Sequence, residues 1–127
     1  MSTKPKAHNP GFLAVVNDAK SRVRQIDIKE YRRMRQAQEQ FLLVDVREDD
    51  EWKAGHAAGA IHLGKGIIER DVESAVPQKD ACLVLYCGGG FRSALAADVL
   101  QKMGYTQAIS LDGGWRAYTD AGLPVER

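Results

Sequence analysis

Apolar residues in the first third of the chain recur at helical spacing. After residue 40 they gather into short continuous runs. Phe12, Val15, Ala19, Val23 and Ile26 form one stripe at that spacing, which predicts a helix opening at Pro10 with Asn9 as its N-cap. Asp27, with Glu30 three residues on, marks a second helix start, and "YRRMRQAQEQ" continues it to Gln40. The period then changes. "FLLVDV" (41–46), "GAIHL" (59–63), "ACLVLYC" (81–87) and "QAISL" (107–111) are short, apolar and rich in branched residues, as strands are. Between them lie helix signals. "REDDEWKAG" has an acidic start and a glycine stop at Gly55, and "KGIIERDVESAV" ends before Pro77. "RSALAADVLQKMG" is apolar over a wide arc and closes at Gly104, and "WRAYTDAG" follows a "DGG" turn.

Strands alternating with helices give an α/β fold: a central parallel sheet with helices on both faces, here with an added N-terminal helix. The boundaries read from the chain are 1–26 for the tail and helix, with residues 1–8 frayed, and 27–127 for the domain. Runs as apolar as "CLVLY" suit strands covered on both sides. Ligands of such sheets bind beyond the carboxyl ends of the strands. There "DVRE" (45–48), "LGKG" (63–66), "CGGGFRS" (87–93) and "LDGGW" (111–115) should converge.

Composition narrows the class. With 127 residues, 44% hydrophobic and 28% charged, the chain is an ordinary globular domain. "GFLAVV" is too short for a secretory or membrane segment, so the cytoplasm is the expected compartment and no membrane partner is expected. Cys82 and Cys87 lie about 16 Å apart along one strand, too far to bridge, and no disulfide framework is implied. Net charge is +1, but residues 1–36 carry nine Lys or Arg against three Asp or Glu. No aromatic residues alternate with those cations, so solvated helix faces are favoured over a nucleic-acid surface.

The candidate chemistry lies in "YCGGGFRS". Strand, Cys87, three glycines, Arg92 and a helix together aim backbone N–H groups at one point. The helix N-terminus adds unpaired N–H groups and a positive dipole end. An unperturbed thiol is only about 3% ionised at neutral pH, and such a cradle favours the thiolate. Arg92 is a permanent cation at the end of the loop. Cys82, at the other end of the same strand, reads as packing. His56 and His62 read as turn or core residues, and Trp52, Trp115 and Tyr118 as packing. No Cys/His set has metal-ligand spacing, and the loop lacks the Gly-Lys-Ser/Thr ending of a phosphate loop, so neither metal nor other cofactor is expected.

Over roughly residues 27–125 the chain resembles the rhodanese-like sulfurtransferases. "LLVDVREDDEWKAGHAAGAIHL" is similar to the family's N-terminal signature, "YCGGGFRSALAADVLQKMGY" to its active-site loop and helix, and "LDGGWRAYTDAGLPV" to its C-terminal signature. The resemblance implies a rhodanese-like three-layer domain. It also implies a Cys87 persulfide formed from a donor such as thiosulfate and passed to cyanide or a thiol. Gly88, Gly89, Gly90, Phe91, Arg92 and Ser93 would then hold the transferred sulfur and the donor, with Asp45 and Arg47 bracing the loop. Partners would be small-molecule sulfur donors and acceptors, or proteins in the same roles. Many family members carry a cation where this chain has Gly88, and Lys65 and Arg70 are candidates to supply it. Cell-cycle phosphatases share the fold but use Cys-x5-Arg, against Cys-x4-Arg here. Two alternatives stand beside this reading: a protein-to-protein persulfide carrier, which uses the same residues, and a non-catalytic interaction module, which has no need of the intact Cys87 and Arg92.

Overall fold

The computed structural model describes residues 8–127, so the tail read over residues 1–8 lies outside the described residues except for His8. Helix α1 (Pro10–Lys20) begins as expected, with Pro10 in its first turn and Asn9 at the N-cap. It then stops six residues early. Ser21 Oγ donates to the Asp18 carbonyl at 2.6 Å, and residues 24–26 form a strand, β1 (Arg24–Ile26), in place of the last helical turn. Val23 and Ile26 are buried beside the sheet instead of on the helix. Val15 is 57% exposed, and the buried positions of α1 are Val16 and Ala19. The single five-residue stripe is therefore corrected: β1 pairs with a neighbouring strand, and that pairing overrides helical spacing.

Helix α2 (Ile28–Gln36) is capped by Asp27, whose carboxylate accepts from the Glu30 N–H at 2.8 Å. It ends before Gln40 because Gln38 adopts φ +56°, and the Glu39 N–H turns back to the Met34 carbonyl at 3.0 Å. The chain continues through β2 (Leu42–Asp45), α3 (Asp49–Ala54), β3 (His56–Ala57), β4 (Ile61–His62) and α4 (Ile68–Ala75). It closes with β5 (Cys82–Tyr86), α5 (Phe91–Lys102), β6 (Gln107–Leu111), α6 (Gly114–Asp120) and β7 (Val125–Glu126).

Five strands form one parallel sheet in the order β1-β6-β5-β2-β4. The two-stranded antiparallel pair β3-β7, absent from the sequence reading, lies apart from it. Alternation along β5 sends Leu83 and Leu85 to one face, with Ile68 and Val72 of α4 and Ala96, Ala97 and Leu100 of α5. Val84 and Tyr86 go to the other face, with Tyr31 and Met34 of α2 and Tyr118 of α6. Each of these large apolar side chains contributes ~1.5–3 kcal/mol on burial. The molecule is thus an α/β domain with a central parallel sheet flanked by helices. Strand β5, central in the sheet, delivers Cys87 to its carboxyl edge.

Candidate active site

Cys87 follows β5 directly and is 1% exposed, yet it lines a cavity of about 560 Å³. The loop carbonyls at Cys87 and Gly88 are held from below. The Trp115 N–H donates to the Cys87 carbonyl at 2.7 Å, and the Arg116 N–H donates to the Gly88 carbonyl at 3.2 Å. That approach needs the two glycines ahead of Trp115. Gly113 and Gly114 both have positive φ, and a Cβ on Gly114 would strike the Cys87 carbonyl. With these carbonyls tied to α6, loop N–H groups are free to face the sulfur. The Gly90 N–H donates to Cys87 Sγ at 3.1 Å. Ser93 Oγ stands 3.6 Å from Sγ and is itself 2.8 Å from Ser110 Oγ, so a hydroxyl pair lies beneath the sulfur. Gly90 is the N-cap of α5, which places the unpaired N–H groups of that helix at the same spot.

Arg92 folds back over the loop. A Cβ on Gly88 would stand 3.2 Å from Arg92 Nη2, so the glycine leaves the guanidinium its place. The guanidinium is also engaged: Nη1 and Nη2 donate to the two carboxylate oxygens of Glu51 at 2.8 and 3.1 Å. The Arg92 contact holds the Glu51 carboxyl below the usual range, although partial burial opposes this. Glu51 also accepts from the Glu48 N–H at 3.0 Å, completing a capping box at the start of α3.

Of the expected residues, Cys87, Gly88, Gly89, Phe91 and Arg92 line the cavity, while Gly90 and Ser93 contact the sulfur without lining it. Asp45 and Arg47 do not line it. They form a buried, bidentate pair with contacts of 2.8 to 3.1 Å. Arg47 donates to the Gly55 carbonyl at 2.7 Å and lies 4.4 Å from the Trp115 ring centroid. Asp45 accepts from the Tyr86 hydroxyl at 2.6 Å. The pair thus ties the end of β2 to the residue before Cys87 and to the residue that holds its carbonyl. Lys65 and Arg70 are not in the cavity lining, and Arg70 is exposed and paired with Asp71. His56 and His62 stack on opposite sides of Trp52, at 3.4 and 4.8 Å, and each hydrogen-bonds a main-chain carbonyl.

Four lining residues were missed: His8, Phe12, Glu51 and Arg116. Glu51 had a signal in the acidic helix start. Arg116 had only its place next to the double glycine, and His8 and Phe12 had none, since they arrive from the N-terminal segment. Among the described residues no group of three or more His, Cys, Asp or Glu converges as metal ligands, and no helix is long and apolar enough to cross a membrane.

The sequence model of the rhodanese-like domain matches residues 27–121. The thiosulfate sulfurtransferase GlpE of Vibrio cholerae is 34% identical over 89 residues, covering 70% of this chain and 82% of that protein. The probable adenylyltransferase/sulfurtransferase MoeZ of Mycobacterium tuberculosis is 36% identical over 84 residues, 66% of this chain and 21% of that protein. A solved structure from Rhodopseudomonas palustris superposes with a TM-score of 0.82 at 29% identity. It covers 97% of this chain and 99% of that one, and is described as a protein of unknown function, possibly a tyrosine phosphatase.

Proposed function

The chain belongs to the rhodanese-like domain family, and on that premise we propose that it is a sulfurtransferase carrying sulfane sulfur as a persulfide on Cys87. The Cys87 thiolate attacks the outer sulfur of a donor such as thiosulfate. The donor's S–S bond breaks, sulfite leaves with the bonding electron pair, and a Cys87–S–S⁻ anion remains. An acceptor thiolate or cyanide then attacks the outer sulfur and frees the cysteine thiolate, with thiocyanate the product from cyanide.

The observation that carries this reading is the 3.1 Å hydrogen bond from Gly90 N–H to Sγ, on a loop whose carbonyls are tied away from the sulfur. The same donors suit the extra sulfur of a persulfide, which extends toward the cavity. Arg92 sits beside the sulfur as a permanent cation, and the Ser93–Ser110 pair supports it from below. Asp45 and Arg47 act as positioning residues through Tyr86 and Trp115. A phosphatase, the description attached to the R. palustris neighbour, must cradle a tetrahedral phosphate. Four residues between Cys87 and Arg92 make a ring suited to a single sulfur atom.

Intact-protein mass spectrometry tests the proposal. Thiosulfate should add one sulfur atom to the wild-type chain, cyanide should remove it, and Cys87→Ser should gain none. Sulfur uptake from a protein donor without uptake from thiosulfate would point to the carrier role. No uptake from either would sink the persulfide reading.

A further inference from the structure

The cavity beside Cys87 is much larger than thiosulfate requires. A water molecule occupies about 30 Å³ of liquid, so about 560 Å³ holds the volume of well over ten waters, against five heavy atoms in thiosulfate. That size belongs to sites for organic ligands. One wall is aromatic and comes from the N-terminal segment. His8 meets Phe91 edge to face at 4.5 Å, Phe12 meets Phe91 at 6.2 Å, and His8 and Phe12 lie 5.2 Å apart. Lys20, at the end of α1, stands 4.6 Å from the Phe91 ring centroid and holds the same ring from α1. Charge is sparse. Arg92 is matched by Glu51, which leaves Arg116 as the lining Lys or Arg with no carboxylate within salt-bridge distance among the described residues. Arg116 is thus a single uncancelled charge in the lining, which matches a monoanion better than a dianion.

Resting on the sulfurtransferase reading, we propose that the pocket selects an organic, singly charged sulfur donor: an apolar body against His8, Phe12 and Phe91, and an anionic sulfur group at Arg116. An aryl thiosulfonate is the simplest such compound. The Cys87 thiolate attacks its outer sulfur, the bond from that sulfur to the sulfonyl sulfur breaks, and the electron pair departs with an aryl sulfinate. Cys87–S–S⁻ remains, so one anion enters and one leaves. Arg116 stabilises the charge that gathers on the sulfinate oxygens as the bond breaks.

The test compares benzenethiosulfonate with methanethiosulfonate, two monoanions with the same leaving chemistry that differ in the ring. The readout is the ratio of their kcat/KM values with cyanide as acceptor. Both donors are run on one preparation, so the ratio does not depend on the fraction folded. Phe12→Ala should lower the ratio about tenfold relative to wild type, the scale of one well-placed aromatic contact, and His8→Ala should lower it in the same direction. Arg116→Gln should lower kcat/KM for both donors roughly three- to fivefold. If the ratio stays within twofold of wild type in both aromatic variants, or if Arg116→Gln leaves both donors within twofold, the proposal is overturned while persulfide formation on Cys87 stands. If neither donor nor thiosulfate places sulfur on Cys87, the proposal is overturned, and uptake from a protein donor then decides whether the persulfide reading stands or falls with it.

Discussion

Glu51 and Arg92 face each other through two guanidinium nitrogens, one on each carboxylate oxygen, and this pairing sets the net charge beside the loop. The Glu51 carboxyl is held below its ordinary range first by the Arg92 hydrogen bonds. The sign follows: the pair's contribution is complete above the ordinary carboxylate range and is lost as pH falls through the lowered value. At neutral pH the pair is therefore intact, and Glu51 cancels the charge of Arg92. The pairing also accounts for Gly88. The position where related loops carry a cation is glycine here, and the guanidinium of Arg92 fills the space beside it. If Glu51 attenuates the loop, Glu51→Gln should lower the KM for thiosulfate roughly three- to tenfold, because a dianion gains most from an uncancelled cation. Steady-state kinetics with thiosulfate and cyanide measure this. A KM that is unchanged or raised would mean that Glu51 matters only for placing Arg92.

Helices α1 and α5 pack together, and one buried carboxylate of α5 holds the turn that follows α1. Asp98 of α5 accepts from Arg22 Nε and Nη2 at 3.0 and 2.8 Å, and Gln101 of α5 donates to the Arg22 carbonyl at 3.1 Å. Arg22 holds the Asp98 carboxyl below its ordinary value of 3.8, although desolvation opposes this. A depressed carboxylate stabilises the fold above that value and ceases to do so as pH falls through the lowered one. Asp98→Asn should therefore lower the Tm at pH 7 by roughly 2–4 °C, a modest loss because the Arg22 side chain is 43% exposed and screened by solvent. The deficit should shrink as the pH is taken below 3.8, and thermal melts across that range would show it; a pH-independent deficit would implicate packing instead. Elements of this kind were unevenly legible. β5, β6 and α5 could be read because a parallel-sheet strand is a continuous apolar run and its crossover helix follows at once. Residues 21–26 were misread because Val23 and Ile26 satisfy helical spacing as well as strand burial, and only the partner strand β6 decides between them. The pair β3-β7 was missed because two residues on each strand leave no periodicity to detect.

Across the whole molecule the sheet order places β5 between β6 and β2, so every strand that supports Cys87 ends at the same edge. The half of the candidate site made from contiguous sequence was therefore legible as a cluster: Cys87, the glycines and Arg92 are marked by their spacing. The other half consists of side chains brought over that edge from afar. Glu51 comes from α3, Arg116 from α6, and His8 and Phe12 from the N-terminal segment. No local pattern marks such residues, because their proximity to Cys87 exists only once the layers have stacked. The same stacking bears on where the domain begins. The family match starts at residue 27, but β1 (Arg24–Ile26) is hydrogen-bonded into the main sheet and covers the edge of β6. Deleting residues 1–20 keeps β1 and removes α1. That chain should fold with a lowered Tm and lose the preference for benzenethiosulfonate over methanethiosulfonate, since the wall made by Phe12 goes with the helix. Deleting residues 1–26 removes β1 as well and bares the outer edge of β6, a long unpaired edge prone to association with other chains. Circular dichroism melts and size-exclusion chromatography of the two deletions separate these cases. If the shorter chain behaves as well as the longer one, β1 is dispensable and the domain starts at residue 27. If only the longer chain is monomeric and cooperative, the folding unit starts at β1, and α1 is an added wall on a sheet that closes without it.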